Sequence, residues 1–97
     1  MSSRILWISC FEKIGENNNF QKYVLNAKAA LKKFNVKIKF ASSEITKLEG
    51  KKFKRIVCLE FKNISGAKKF FKSKDYKLAR KFLSKGKSIR YLNLIRI

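Results

Sequence analysis

Residues 36–61, VKIKFASSEITKLEGKKFKRIVCLEF, hold two stretches of strand chemistry with a turn signal between them. Val36, Ile38 and Phe40 alternate with Lys37, Lys39 and Ala41, the period of two that sends successive side chains to opposite faces of a strand. Ser42-Ser43 is a place for a bulge, Glu44 to Glu49 continue extended, and Gly50-Lys51-Lys52 makes the turn. Arg55 to Phe61, RIVCLEF, is the next strand. On either side of this pair the period becomes helical. Upstream, Phe20, Tyr23, Val24, Ala27, Leu31 and Phe34 share one helix face, and Lys22, Lys28, Lys32 and Lys33 take the wet side. Asn18 or Asn19 supplies the N-cap, and Asn35 a left-handed stop. Downstream, Ser65 caps a short helix over Ala67–Phe71. A second helix covers Lys74–Lys85, with Tyr76, Ala79, Phe82 and Leu83 on its apolar face and Gly86 at its end. The outermost segments, RILWISCF (4–11) and SIRYLNLIRI (88–97), read as strands.

The order β-α-β-β-α-β predicts an α+β, ferredoxin-like sandwich: an antiparallel sheet with helices on one face. Ninety-seven residues make one domain, residues 1–97. The other sheet face needs cover that so short a chain does not contain, so a second copy is expected there. The prediction is a homodimer joined through sheet faces as an α/β barrel.

Charge is the unusual feature of the composition. Twenty-five Lys and Arg face six Asp and Glu, a net charge of +19. Clustered cations attract phosphates in a salt-dependent way, so a basic interaction protein for nucleic acid or another polyanion is one reading. A coding bias is the other. Phe, Tyr, Met, Ile, Asn and Lys, which use AT-rich codons, make up 50 of the 97 residues, and only five of the cations are Arg, the residue suited to bidentate recognition. Non-specific polyanion attraction at low salt follows in either case and fades as screening shortens to about 8 Å near physiological ionic strength. There is no His, which excludes Ser-His-Asp and Cys-His nucleophilic pairs and His-ligated metals. Two cysteines, Cys10 and Cys58, are too few for a zinc ribbon or disulfide scaffold. No metal and no cofactor are expected. The apolar run at the start is too short for a leader or a membrane span of roughly 20 residues. Both thiols sit in apolar runs, so a cytoplasmic setting with no membrane partner is expected.

The pattern resembles the small bacterial proteins of the domain-of-unknown-function family numbered 1330, in the dimeric α/β-barrel superfamily. LEGKKFKRIVCLEF is similar to that family's Glu-Gly, spacer, Arg, hydrophobic strand, Glu-Phe signature, here Glu49, Gly50, Arg55, Glu60 and Phe61. AKKFFKSKDY is similar to its Ala-x-x-Phe-Tyr-x-Ser-x-x-Tyr helix, here Ala67, Phe70, Ser73 and Tyr76, with Phe71 where Tyr is usual; LWIS resembles its opening strand. The resemblance implies a ferredoxin-like protomer whose sheet packs on a partner's. Wider relatives include cofactor-free monooxygenases, isomerases and small-molecule binders, a fold-level analogy only. The chain departs from the family where Ala41 precedes Ser42-Ser43 and where Leu83 stands, two places where the family often has Arg.

Strand parity divides the residues into two sets. Leu6, Ile8, Cys10, Val57, Leu59, Phe61, Leu92 and Leu94 are almost wholly apolar and are expected under the helices. Trp7, Ser9, Cys58, Glu60, Tyr91 and Asn93 are mixed and are expected on the inter-sheet face, lining a cavity for a small organic ligand. Glu60 is the candidate catalytic residue: desolvation in a buried strand raises a carboxyl pKa toward that of a general base. Its competing reading is a structural ion pair with Lys37, Lys39 or Arg90. Arg55 is either a clamp for a ligand carboxylate or a solvated strand end. Tyr23 either donates to a ligand or is a core tyrosine with a wet hydroxyl. Cys58, with no His and no helix N-terminus to lower its pKa, is expected to be inert. The basic-aromatic run KKFFKSKDYKLARK suggests base stacking, but Phe70, Phe71 and Tyr76 fall where the helices need core.

Overall fold

A computed structural model describes residues 4–97. The elements are β1 (Ile5–Lys13), α1 (Asn17–Lys33), β2 (Lys37–Ser42), β3 (Arg55–Phe61), α2 (Ile64–Lys72), α3 (Lys74–Lys85) and β4 (Ile89–Arg96). The strands form one sheet in the order β2-β3-β1-β4, and every neighbouring pair is antiparallel. This is the ferredoxin-like arrangement that the element order predicts. No helix among the described residues is long and apolar enough to cross a membrane.

The caps differ from the sequence expectation. Glu16, not Asn18 or Asn19, caps α1, its carboxylate accepting from the Asn19 N–H at 3.3 Å. Asn63, not Ser65, caps α2, its Oδ1 accepting from the Gly66 N–H at 2.7 Å, so the helix starts earlier and runs past Phe71. Each true cap lies two or three residues upstream, where its side-chain oxygen reaches the N–H three residues on. The bulge in β2 falls between Ile38 and Phe40 rather than at Ser42-Ser43. Glu44 to Glu49 form no strand. Asn35 does take the left-handed conformation (φ 55°), and Gly50 turns at φ 83°. Gly15 is required where the two helix ends meet: a Cβ there would lie 1.7 Å from the Gly86 carbonyl oxygen.

All three helices lie on one face of the sheet. Aromatic rings dominate the core between the layers. Trp7 meets Phe61, Phe70, Phe71 and Tyr76 at ring separations of 5.4–6.0 Å. Small residues on the helices, Ala27, Ala30, Ala67 and Ala79, let the backbones approach these rings.

This core corrects the face assignment of β1. Ile5, Trp7, Ser9 and Phe11 are the buried set under the helices, and Leu6, Ile8 and Cys10 point to the open face. The parity of β3 and β4 is as expected. Trp7 pairs with Leu59 and Leu94, and Ser9 with Val57 and Leu92, so these residues share the helix face. Trp7 and Ser9 therefore do not join Cys58, Glu60, Tyr91 and Asn93. Both faces of β1 are apolar, so hydropathy alone could not orient it; the ladder register did.

Candidate ligand cavity

A cavity of about 140 Å³ lies between α1 and the sheet. Strands β1 and β3 supply its floor through Trp7, Ser9, Phe11, Arg55, Val57 and Leu59. Helix α1 supplies the roof through Phe20, Tyr23, Val24, Ala27 and Leu31, and α3 contributes Tyr76. The volume is comparable to apolar cavities of about 150 Å³ that take up benzene. Four of the sequence-predicted residues, Trp7, Ser9, Tyr23 and Arg55, are thus brought together, on the helix side of the sheet rather than between two sheets.

Lys28 also reaches the rim, and three further polar features border a largely apolar space. The Ser9 hydroxyl is fully buried and has no hydrogen-bond partner among the described residues. The Tyr23 and Tyr76 hydroxyls lie 3.0 Å apart, and the Arg90 guanidinium donates to both, at 3.2 Å to Tyr23 and 2.5 Å to Tyr76. Tyr23 is therefore not the core tyrosine with a wet hydroxyl. Burial, reinforced by Tyr76, pushes its pKa far above the usual tyrosine value, so it stays a neutral donor. Arg55 reaches the Ser43 hydroxyl at 3.2 Å from its place on the cavity wall. Tyr76 and Arg90 are the residues that sequence reasoning missed. The signal for Arg90 was its parity: Arg90, Leu92 and Leu94 lie on the same face of β4, under the helices.

Glu60, Tyr91, Asn93 and Cys58 lie on the opposite, open face. Glu60 forms ion pairs with Lys39 (3.3 Å) and Arg4 (3.7 Å), and Arg90 is on the far side of the sheet from it. Burial alone would raise the Glu60 pKa, but the Lys39 ammonium and Arg4 guanidinium outweigh it and hold the carboxyl below its ordinary value. The raised pKa expected of a general base is thus reversed. Tyr91 closes a polar cluster at the sheet end: its hydroxyl donates to Glu12 at 3.1 Å, and Lys51 bridges the two. Burial raises the pKa of both cysteine thiols, in keeping with an inert Cys58. Among the described residues no group of three His, Cys, Asp or Glu side chains converges as a metal site.

A profile described as "Domain of unknown function (DUF1330)" matches residues 4–95. No curated protein matches the chain significantly. Several solved structures share the fold. The RPA0582 protein of unknown function from Rhodopseudomonas palustris is 11% identical, with a TM-score of 0.72 over 100% of this chain and 82% of that one. A dimeric protein of unknown function and ferredoxin-like fold from Bacteroides fragilis is 16% identical, with a TM-score of 0.63 over 97% and 96% of the two chains. SnoaB, a cofactor-independent oxygenase from Streptomyces nogalater, is 8% identical, with a TM-score of 0.68 over 96% and 91%.

Proposed function

The chain belongs to the family described as a domain of unknown function (DUF1330), and we propose that it binds a small organic molecule in the cavity between α1 and the sheet. The observation that carries this reading is the orphan hydroxyl of Ser9, buried at an apolar wall with no partner among the described residues. A buried hydroxyl left unsatisfied costs about 1–3 kcal/mol, and a ligand oxygen or nitrogen would recover it. The ligand that fits is a single ring with one hydrogen-bonding group: the ring against Trp7 and Leu59, the polar group at Ser9 or the Tyr23 hydroxyl. Arg55 would take a carboxylate where the ligand carries one.

Binding rather than turnover is the function inferred. No carboxylate lines the cavity among the described residues, and Tyr23 is held protonated, so no residue at hand is an evident base at neutral pH. Fold kinship with a cofactor-independent oxygenase does not by itself carry that chemistry here. Glu60 keeps the structural ion-pair role.

The same proposal includes a homodimer. The open face carries Leu6, Ile8, Cys10 and Ile56, with Phe40, Tyr91 and Ile95 each about half exposed. A second copy packed there would cover this apolar surface, and fold relatives are described as dimeric.

Native mass spectrometry of protein that has never been denatured tests both parts. A dimer with a discrete added mass, lost in Ser9→Leu, supports the reading. If no added mass is retained and phenol at millimolar concentration leaves Trp7 fluorescence unchanged, the cavity is packing space and not a site.

A further inference from the structure

We infer that the chain has a second binding site, for a small organic anion, in the cleft between α2, α3 and β4. This cleft is separate from the cavity under α1, and Trp7 is the sole residue that lines both. Its volume is about 370 Å³. One wall is apolar, formed by Trp7, Phe71, Leu92 and Leu94, and the other brings in the guanidinium groups of Arg80 and Arg90.

Two observations point to a ligand. First, both half-buried guanidinium groups lack a carboxylate partner among the described residues, so their charge is free to meet an anion. Arg90 spends one nitrogen on the two tyrosine hydroxyls. Among the described residues Arg80 donates once, to the Phe71 carbonyl at 3.3 Å, and its Nε is fully buried with no partner there. Second, both groups are held in place from behind. Arg80 stacks 4.0 Å from the centre of the Phe71 ring, and Arg90 packs among Phe11, Tyr23 and Tyr76. Half-buried guanidinium forks, stacked on aromatic rings beside an apolar wall, suit a carboxylate on a flat hydrocarbon body. Generic surface attraction does not build such a site, because it needs no orphaned Nε.

The test uses 2-naphthoate as the probe and 2-naphthol as its uncharged counterpart, in about 150 mM salt so that diffuse attraction is screened. Nuclear magnetic resonance of the wild-type chain should show saturable naphthoate shifts at the Arg80 Nε–H and at the Leu92 and Leu94 amides. Arg80→Gln should weaken binding about tenfold or more, as loss of a charged hydrogen-bonding partner does. Lys81→Gln, a charge change at an exposed position of α3, should leave it unchanged. Three results would overturn the inference: no saturable binding, equal weakening by the two variants, or naphthol binding as tightly as naphthoate. Shifts centred instead on Ser9 and Ala27 would also overturn it, since the probe would then occupy the first cavity. The wild-type shifts decide the matter even if Arg80→Gln folds poorly.

Discussion

Ser9→Ala should stabilise the protein and weaken its ligand binding at the same time. The side chain is 2% exposed, and its oxygen has no partner. In protein mutational data an unsatisfied buried hydroxyl costs about 1–3 kcal/mol. Alanine keeps the Cβ and removes only the oxygen, so no clash arises. The low end of that range, about 1 kcal/mol, is the gain expected here. For a domain of this size that is a rise in Tm of about 4–8 °C. The same oxygen is the proposed ligand contact, and one neutral hydrogen bond is worth about 0.5–1.5 kcal/mol, or roughly 2- to 12-fold in Kd. Differential scanning calorimetry gives the first quantity, and quenching of Trp7 by phenol the second. Opposite signs are expected: higher Tm, weaker binding. A lower Tm in Ser9→Ala would show that the hydroxyl is satisfied in the native state, and the reasoning from an orphan group would fail.

Three further outcomes follow from the geometry. The Glu60 carboxyl is held below its ordinary value of 4.5, so its pairing with Lys39 and Arg4 stabilises the fold above that pH and is lost as pH falls through the lower folded value. The Tm advantage of the wild type over Glu60→Gln should therefore shrink on acidification; a gap independent of pH from 7 to about 3 would refute the ion-pair role. Tyr23 has its pKa raised from 10.0 by burial, so the unfolded chain ionises first and stability falls as pH rises above 10. Tyr23→Phe should lose part of that alkaline sensitivity in a urea titration, and an unchanged alkaline limb would contradict it. Ile8→Lys puts a charge at the middle of the open face, between Cys58 and Asn93. Light scattering should report a monomer with an unaltered far-ultraviolet spectrum, whereas a surviving dimer would place the interface elsewhere.

The succession of elements was legible in the sequence because each rests on a local rule. The helical spacing from Phe20 to Phe34, the alternation from Val36 to Ala41, and the stops at Asn35 and Gly50 are short-range signals for α1 and β2, and β3 and α3 have the bounds read from RIVCLEF and from Lys74–Lys85. Residue identity also brought Trp7, Ser9, Tyr23 and Arg55 forward as ligand-facing groups. Their grouping was not legible. β1 is apolar on both sides, so whether Trp7 or Ile8 meets the helices depends on which residue sits opposite Leu59, a register that pairing across the sheet decides. That choice moved Trp7 and Ser9 away from Glu60 and toward Tyr23. Glu60 shows the second limit. Desolvation can be guessed from a strand position, but the sign of the net pKa shift turned on the placement of Lys39 and Arg4. The Tyr23–Tyr76–Arg90 cluster is the third, joining residues 53 and 67 positions apart along the chain. Local periodicity thus determined which segments are helix and strand. Tertiary pairing alone decided which side chains share a face, and with it which of them line the proposed cavity.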